Sequence, residues 1–221
     1  MAQPVYLDHF DSPLGNLTVA SDGEALIGLW FDGQKYDQAL LKSKKWKFAN
    51  LEDSTTKANM SLPGAIEIEG KAVENDRAEG NSANNGTFDN NARAVFETTK
   101  RWLSTYFQGN DPGAPPPLRI YGSEFQKLIC EIMLTVPFGE TTTYGAIAKV
   151  AAERLGRERM SAQAVGGAVG HNPIGIIVPC HRVVGTNGSL TGYAGGIDKK
   201  IFLLNNEGQS IAHTSKGWSL R

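Results

Sequence analysis

Cysteine is scarce in this chain of 221 amino acids: there are two, Cys130 and Cys180. Neither has a CxxC partner, which excludes a cysteine-rich zinc site and leaves open only one built from His and carboxylates. The pair could form one bridge on arithmetic alone. With Cys130 inside an expected helix and no secretory leader in Met1-Ala2-Gln3-Pro4-Val5, free thiols in a reducing cytosol are expected instead. No run of about 18 apolar residues suggests a membrane span, so no membrane partner is expected. A strong excess of charge is also missing, with 22 Lys/Arg against 23 Asp/Glu. From position 120 onward there are 10 basic and 7 acidic residues, and before it 12 and 16. That permits a local basic face on the second half and does not by itself indicate nucleic-acid binding.

What is present begins as strands. Val5, Leu7 and Phe10 precede a Ser12-Pro13-Leu14-Gly15 turn, Leu17 and Val19 follow, and an apolar run comes after Asp22-Gly23. Alternation punctuated by such turns predicts an antiparallel meander. Residues 34–46 suit a short helix with a basic end. Residues 50–92 are rich in Asn, Gly, Ser, Ala and acids, and bury little surface against the entropy of ordering them. A surface insertion is expected there, with one short strand near 65–68. Helical periodicity resumes over 92–108, where Val95, Phe96, Trp102, Leu103, Tyr106 and Phe107 share a face before Gly109. Aromatics at this spacing read as core. The stiff run Pro112-Gly113-Ala114-Pro115-Pro116-Pro117 marks a domain boundary, separating 1–111 from 118–221.

The second half opens with a capping box, Ser123-x-x-Gln126, before Leu128, Ile129, Ile132 and Met133 at helical spacing. Thr143 can cap a second helix to about Ala152, and Ser161 a third over 162–170. Two short helices joined by the polar turn 154–159 have the outline of a helix-turn-helix. The later one is bare. Its run Ala162-Gln163-Ala164-Val165-Gly166-Gly167-Ala168 has almost no bulk, and each glycine costs roughly 1 kcal/mol in helix propensity. Such a helix suits either close approach to a shallow surface or tight packing on a neighbour.

Next comes Ile176-Ile177-Val178-Pro179-Cys180-His181-Arg182-Val183-Val184-Gly185. The β-branched run predicts a buried strand stopped by Pro179, delivering a thiol, an imidazole and a guanidinium on consecutive positions. The thiolate is the nucleophilic form and positive neighbours favour it. A core cysteine that happens to precede a histidine fits these residues as well. Glycine turns at 185–188 and 192–196 let backbone amides approach a ligand, without the GxGxxG order of a dinucleotide loop. Asp198 is expected to cap a last helix over 199–206, leaving Glu207 at the end where the dipole disfavours a carboxylate.

These motifs together resemble the O6-alkylguanine-DNA alkyltransferase family. The likeness rests on Asn172-Pro173, Pro179-Cys180-His181-Arg182-Val183-Val184-Gly185, Gly192-Tyr193-Ala194-Gly195-Gly196 and Leu203-Leu204-x-x-Glu207-Gly208, in that order. Phe138-Gly139-Glu140 with Tyr144, and Ala164-Val165-Gly166-Gly167-Ala168, extend it. It covers residues 118–211 well, and 5–31 and 92–108 loosely. The resemblance implies an α+β protein with an N-terminal ribonuclease H-like α/β domain and a C-terminal winged-helix-like domain containing the helix-turn-helix. It implies DNA repair, in which the alkyl group of O6-alkylguanine, and of O4-alkylthymine, moves to Cys180 in a single irreversible turnover.

By the same resemblance His181 is the base acting through a water, Glu207 orients the imidazole, and Tyr144 protonates the leaving base. Asn172 is the hinge before the nucleophile segment. Consecutive residues of an extended chain point to opposite faces, which favours a water between Cys180 and His181. Val183, Tyr193 and Ala194 would line the substrate pocket. Ala162, Gln163, Ala164, Gly166, Gly167 and Arg182 would meet double-stranded DNA through its minor groove, with the damaged base flipped out. No cofactor or metal is implied, and a cytoplasmic monomer is expected. Where the family often has an arginine on the bare helix this chain has Gln163, which implies weaker, less salt-sensitive binding. Two rival readings are a non-transferring sensor of alkylated DNA, which would replace the nucleophile, and a thiol hydrolase, which would leave the bare helix unexplained.

Overall fold

The turn after Ser12 closes the first hairpin as its residues dictate. Ser12 Oγ donates to the Gly15 carbonyl at 2.5 Å, and Gly15 takes φ +100°, a conformation open to glycine. This joins β1 (Pro4–Ser12) to β2 (Gly15–Ser21) in a computed structural model that describes residues 4–36, 41, 46–49, 82–215 and 217–221. The Asp22 carboxylate accepts from the amides of Glu24 and Ala25 and turns the chain into β3 (Leu26–Phe31). With the short β4 (Lys47–Phe48) parallel to β1, the sheet order is β3-β2-β1-β4. The expected antiparallel meander forms its main part.

All six residues of β3 are buried although it lies at the sheet edge. The second half of the chain occupies that edge: Leu26 bonds to Pro117 and Arg119, and Leu29 to Pro173 and Gly175, at 2.7–2.9 Å. An open edge is a template for backbone pairing. This one anchors the segment that leads directly into Cys180.

Helix α1 (Ser82–Phe107) packs on the sheet through Val95, Phe96, Thr99, Leu103 and Tyr106, all buried. It starts ten residues before the periodicity predicts, within the stretch expected to be an insertion, because 82–91 has no apolar stripe to announce a helix. The remainder of that stretch, 50–81 with its expected strand, lies outside the described residues, as do 37–40 and 42–45 of the expected short helix. One hydrophobic cluster runs from Leu29, Phe96 and Tyr106 to Ile129, Val165, Cys180 and Leu203. The Pro-rich segment 112–117 therefore links the two halves without dividing their core.

In the second half, Ser and Thr side chains take up the amides that a helix start leaves unpaired. Ser123 and Gln126 form the expected capping box of α2 (Glu124–Leu134). Thr143 accepts from Ala146 at the start of α3 (Tyr144–Arg154), and Ser161 from Gln163 and Ala164 at the start of α4 (Ala162–Gly170). The two-residue strands β5 (Thr142–Thr143) and β6 (Val183–Val184) pair in parallel, tying the start of α3 to the end of the Cys180 segment. Helix α5 (Ile197–Asn206) and a hairpin of β7 (Ile211–Thr214) and β8 (Gly217–Leu220) complete the chain.

Two local expectations fail. Residues 176–178 are buried turns rather than a strand, with Ile176 at φ +65°. The run is short, and β3 pairs with it only at Ile174, so the backbone satisfies itself through Ile177 N to Gly175 O and Val178 N to Ile174 O. Asp198 does not cap α5; Gly196, at φ +94°, occupies that position, and Asp198 sits in the first turn.

Candidate active site

Asn172 organises the segment that leads to Cys180. Its Nδ2 donates to the Val178 carbonyl at 2.7 Å, the Cys180 sulfur at 3.2 Å and the Ile174 carbonyl at 3.3 Å, while its Oδ1 accepts from Ile174 N. One side chain thus supplies the pairing that a strand would have supplied, and it ends on sulfur. Cys180 opens a single 3-10 turn, Cys180–Arg182, and is almost fully buried. Burial pushes its thiol up, while the Asn172 amide, the Lys200 ammonium and the Tyr193 hydroxyl pull the other way. At neutral pH the resting group is a thiol that needs a base.

Successive residues of a 3-10 turn are rotated by roughly 120°, so Cys180 and His181 diverge for a reason other than the extended chain expected. His181 points into the core, fully buried, with Nε2 2.6 Å from Glu207 Oε1. Burial would raise the Glu207 carboxyl, but His181 and the Arg182 guanidinium outweigh it and bring it down to about 2. A carboxylate facing Nε2 places the imidazole proton there. Burial lowers the His181 pKa, leaving the ring neutral at physiological pH. Nδ1 is then a lone pair without a hydrogen, and it has no protein partner among the described residues. That is the form a general base requires.

Glu207 stands at the C-terminal end of α5, where the dipole opposes it, because donors converge there. Besides His181 it accepts from Tyr106 Oη at 2.8 Å, Arg182 Nε at 2.8 Å, Arg182 NH2 at 3.1 Å and Gly139 N at 3.2 Å. Arg182, expected at the DNA surface, is therefore an internal residue. It is buried, its third nitrogen donates to the Val136 carbonyl, and its guanidinium lies 5.8 Å from the Phe138 ring. Its charge is spent on Glu207.

The sulfur faces a cleft that Tyr144, Gly166, Asn172, Tyr193 and Ala194 line, with Gln34 of the N-terminal half. Burial and the neighbouring Cys180 raise the Tyr193 phenol well above its ordinary value. Tyr144 accepts from Thr191 Oγ1 at 3.3 Å, which leaves its own hydrogen free, and burial raises its pKa so that it stays a phenol. Val183, expected in the pocket wall, is fully buried behind it, and its carbonyl accepts from Lys200 Nζ at 2.6 Å. Above the cleft the outer face of α4 carries Ala162, Gln163, Ala164 and Gly167, all exposed. A Cβ at Gly167 would meet nothing, and one at Gly166 only the Tyr144 ring at 3.8 Å. Tight packing within the chain does not account for Gly167.

Two residues of the site were not singled out from the sequence. Tyr106 reads as one core aromatic among several, and its partners lie 75 and 101 residues away. Lys200 is fully buried, holds the Val183 and Thr191 carbonyls, and is depressed by burial to about 8. A signal existed for it, since it shares the inward face with Leu203 and Leu204. Among the described residues no cluster of His, Cys, Asp and Glu could hold a metal ion, and no helix is long and apolar enough to cross a membrane.

A family model described as 6-O-methylguanine DNA methyltransferase, DNA binding domain, matches residues 124–209. Two relatives align over nearly the full chain, both named methylated-DNA–protein-cysteine methyltransferase. That of Methanosarcina acetivorans is 36% identical over 204 residues, 92% of this chain and 99% of its own. That of Haemophilus influenzae is 30% identical over 214 residues, 96% and 90% of the two chains. Among solved structures, Mycobacterium tuberculosis OGT in complex with DNA superposes with a TM-score of 0.60 and 31% identity over 92% of both chains. A Cys–His–Glu site in a mixed helix-and-strand fold and relatives matched almost end to end agree: this chain belongs to the methylated-DNA–protein-cysteine methyltransferase family.

Proposed function

We propose that this protein repairs alkylated DNA by moving the alkyl group of O6-alkylguanine, and of O4-alkylthymine, onto the sulfur of Cys180. The observation that carries this reading is the Cys180 sulfur at the floor of a cleft, backed by a neutral His181 whose Nδ1 is free. The thiol proton passes through a water to Nδ1 while Glu207 holds the opposite edge of the ring. Sulfur then attacks the alkyl carbon in line, the S–C bond forms, and the C–O6 bond breaks with its electron pair going to the base. Tyr144 donates its hydroxyl hydrogen to the leaving base. The product is a thioether that no ordinary reductant reverses, so each molecule acts once.

A base stacked in a duplex cannot enter such a cleft and must be flipped out. The bare outer face of α4 suits the minor groove, where readout is degenerate and a repair protein loses nothing by ignoring sequence. Gln163 would occupy the space the base leaves, without an arginine's charge; Gln163→Arg should tighten binding and steepen its salt dependence. On this reading the sheet with α1 is a ribonuclease H-like domain over 1–111, and α3 with α4 the helix-turn-helix of a winged-helix-like domain over 118–221. It works as a cytoplasmic monomer whose two cysteines remain thiols.

Incubation with a duplex carrying O6-methylguanine, followed by intact-mass measurement, tests the proposal. One methyl gained per molecule, mapped to Cys180, is the expected result. Tight binding without transfer would mean a sensor, and turnover without modification a hydrolase.

A further inference from the structure

A side chain of the N-terminal half, Tyr106, hydrogen-bonds to the His181–Glu207 pair. Tyr106 lies in the last turn of α1, its ring buried, stacked on Trp102 at 5.5 Å and edge-on to Phe107 and Phe138. Its carbonyl accepts from Asn206 Nδ2 at 2.7 Å, next to Glu207, so backbone and ring are both held. The hydroxyl donates at 2.8 Å to Glu207 Oε1, the oxygen that also faces His181 Nε2 at 2.6 Å, and lies 3.2 Å from Nε2 itself. A phenylalanine would fill the same apolar space without bringing a hydroxyl that must be desolvated. Burial and the neighbouring carboxylate raise the phenol far above its ordinary range, so it serves only as a donor.

We propose that Tyr106 is a positioning residue for the alkyl transfer: its hydroxyl holds Glu207 Oε1 against the Nε2 edge of His181 and draws off part of the carboxylate's charge. The imidazole is thereby kept in the tautomer with Nδ1 free, and kept neutral where the thiol proton must be accepted. During the step Nε2 retains its hydrogen and Glu207 stays ionised; only Nδ1 gains a proton. The N-terminal half then takes part in the chemistry, although the matched family model spans only 124–209. This inference rests on the proposed function.

Tyr106→Phe in the full chain tests it, because the ring stays and only the hydroxyl goes. Single-turnover methyl transfer from an O6-methylguanine duplex is followed across pH, alongside DNA affinity and thermal unfolding. The rate near neutral pH should fall roughly tenfold, the size of one hydrogen bond to a charged group, with DNA affinity unchanged. The acid limb of the profile should move to higher pH, since a carboxylate with one donor fewer favours the imidazolium. In a Glu207→Gln background the same substitution should add no further loss. An unchanged rate overturns the proposal, and so does a loss that lacks either the pH shift or the dependence on Glu207, which would be packing alone. Failure of the unaltered protein to take up methyl would instead sink the proposed function, before any variant is made.

Discussion

Cys130 and Cys180 are both free, both buried and members of one hydrophobic cluster, yet their surroundings differ in kind. Around Cys130, inside α2, burial and the neighbouring Cys180 and Glu131 all push the thiol up, to about 12. Cys180 is desolvated as well, but the Asn172 amide donates to its sulfur, and that bond and the Lys200 ammonium oppose the rise. Burial alone therefore does not distinguish these two thiols. The donors around the Cys180 sulfur do, together with the cleft it faces and the adjacent His181.

The sharpest way to break this comparison is to exchange the thiols. Cys180→Ser should abolish methyl uptake in intact-mass measurements, whereas Cys130→Ala should leave it intact and cost about 1 kcal/mol in urea unfolding. Glu207→Gln comes next. It leaves the buried Arg182 without its counter-charge and should destabilise the fold by about 3–5 kcal/mol, besides slowing transfer.

The same carboxylate sets a pH window. Its pKa is lower in the folded protein, about 2, than the roughly 4.3 of an unfolded chain. Its stabilisation is therefore complete above the unfolded value and lost as pH falls from there through about 2, an amount on the order of 3 kcal/mol. Acid unfolding of Glu207→Gln should lack that component. A smaller effect is expected from Asn172→Leu, which keeps the branched outline and removes the donor to sulfur. Transfer should slow roughly tenfold, and the pH midpoint for alkylation of Cys180 by iodoacetamide should rise. Smallest is Gly167→Ala. With open space around its Cβ it should stabilise α4 by up to about 1 kcal/mol, yet weaken binding to duplex DNA if this face enters the groove.

Much of this protein is readable without its coordinates, because the signals are local. The turn at Ser12 to Gly15, the Ser123 capping box, the Thr143 and Ser161 caps and the bare run of α4 each depend on neighbours a few residues apart. Asn172, Cys180, His181 and Glu207 point to the chemistry only through the family resemblance their motifs carry; by themselves they fit a core cysteine as well. What the residues could not convey is where β-branched side chains go once an edge strand is already engaged. Residues 176–178 look like a strand and are folded as turns, because Leu29 bonds the chain just before them and Asn172 supplies the remaining partners.

Arg182 shows the same limit. On paper it is a cation two residues after Cys180; in the fold Glu207 arrives from the end of α5 and draws it inward. Tyr106 carries no mark of its partners in the chain order either, and Lys200 only its place on the inward face of α5. A hydrogen bond across 101 residues, or an ammonium pinned under the Val183 carbonyl, exists only when sheet, helices and the Cys180 segment close on one core. Sequence determined most helix caps and turns and the presence of Cys180, His181 and Glu207. Tertiary structure decided which polar groups lost their water together, and burial of that kind is what makes their mutual hydrogen bonds strong enough to set charge and tautomer.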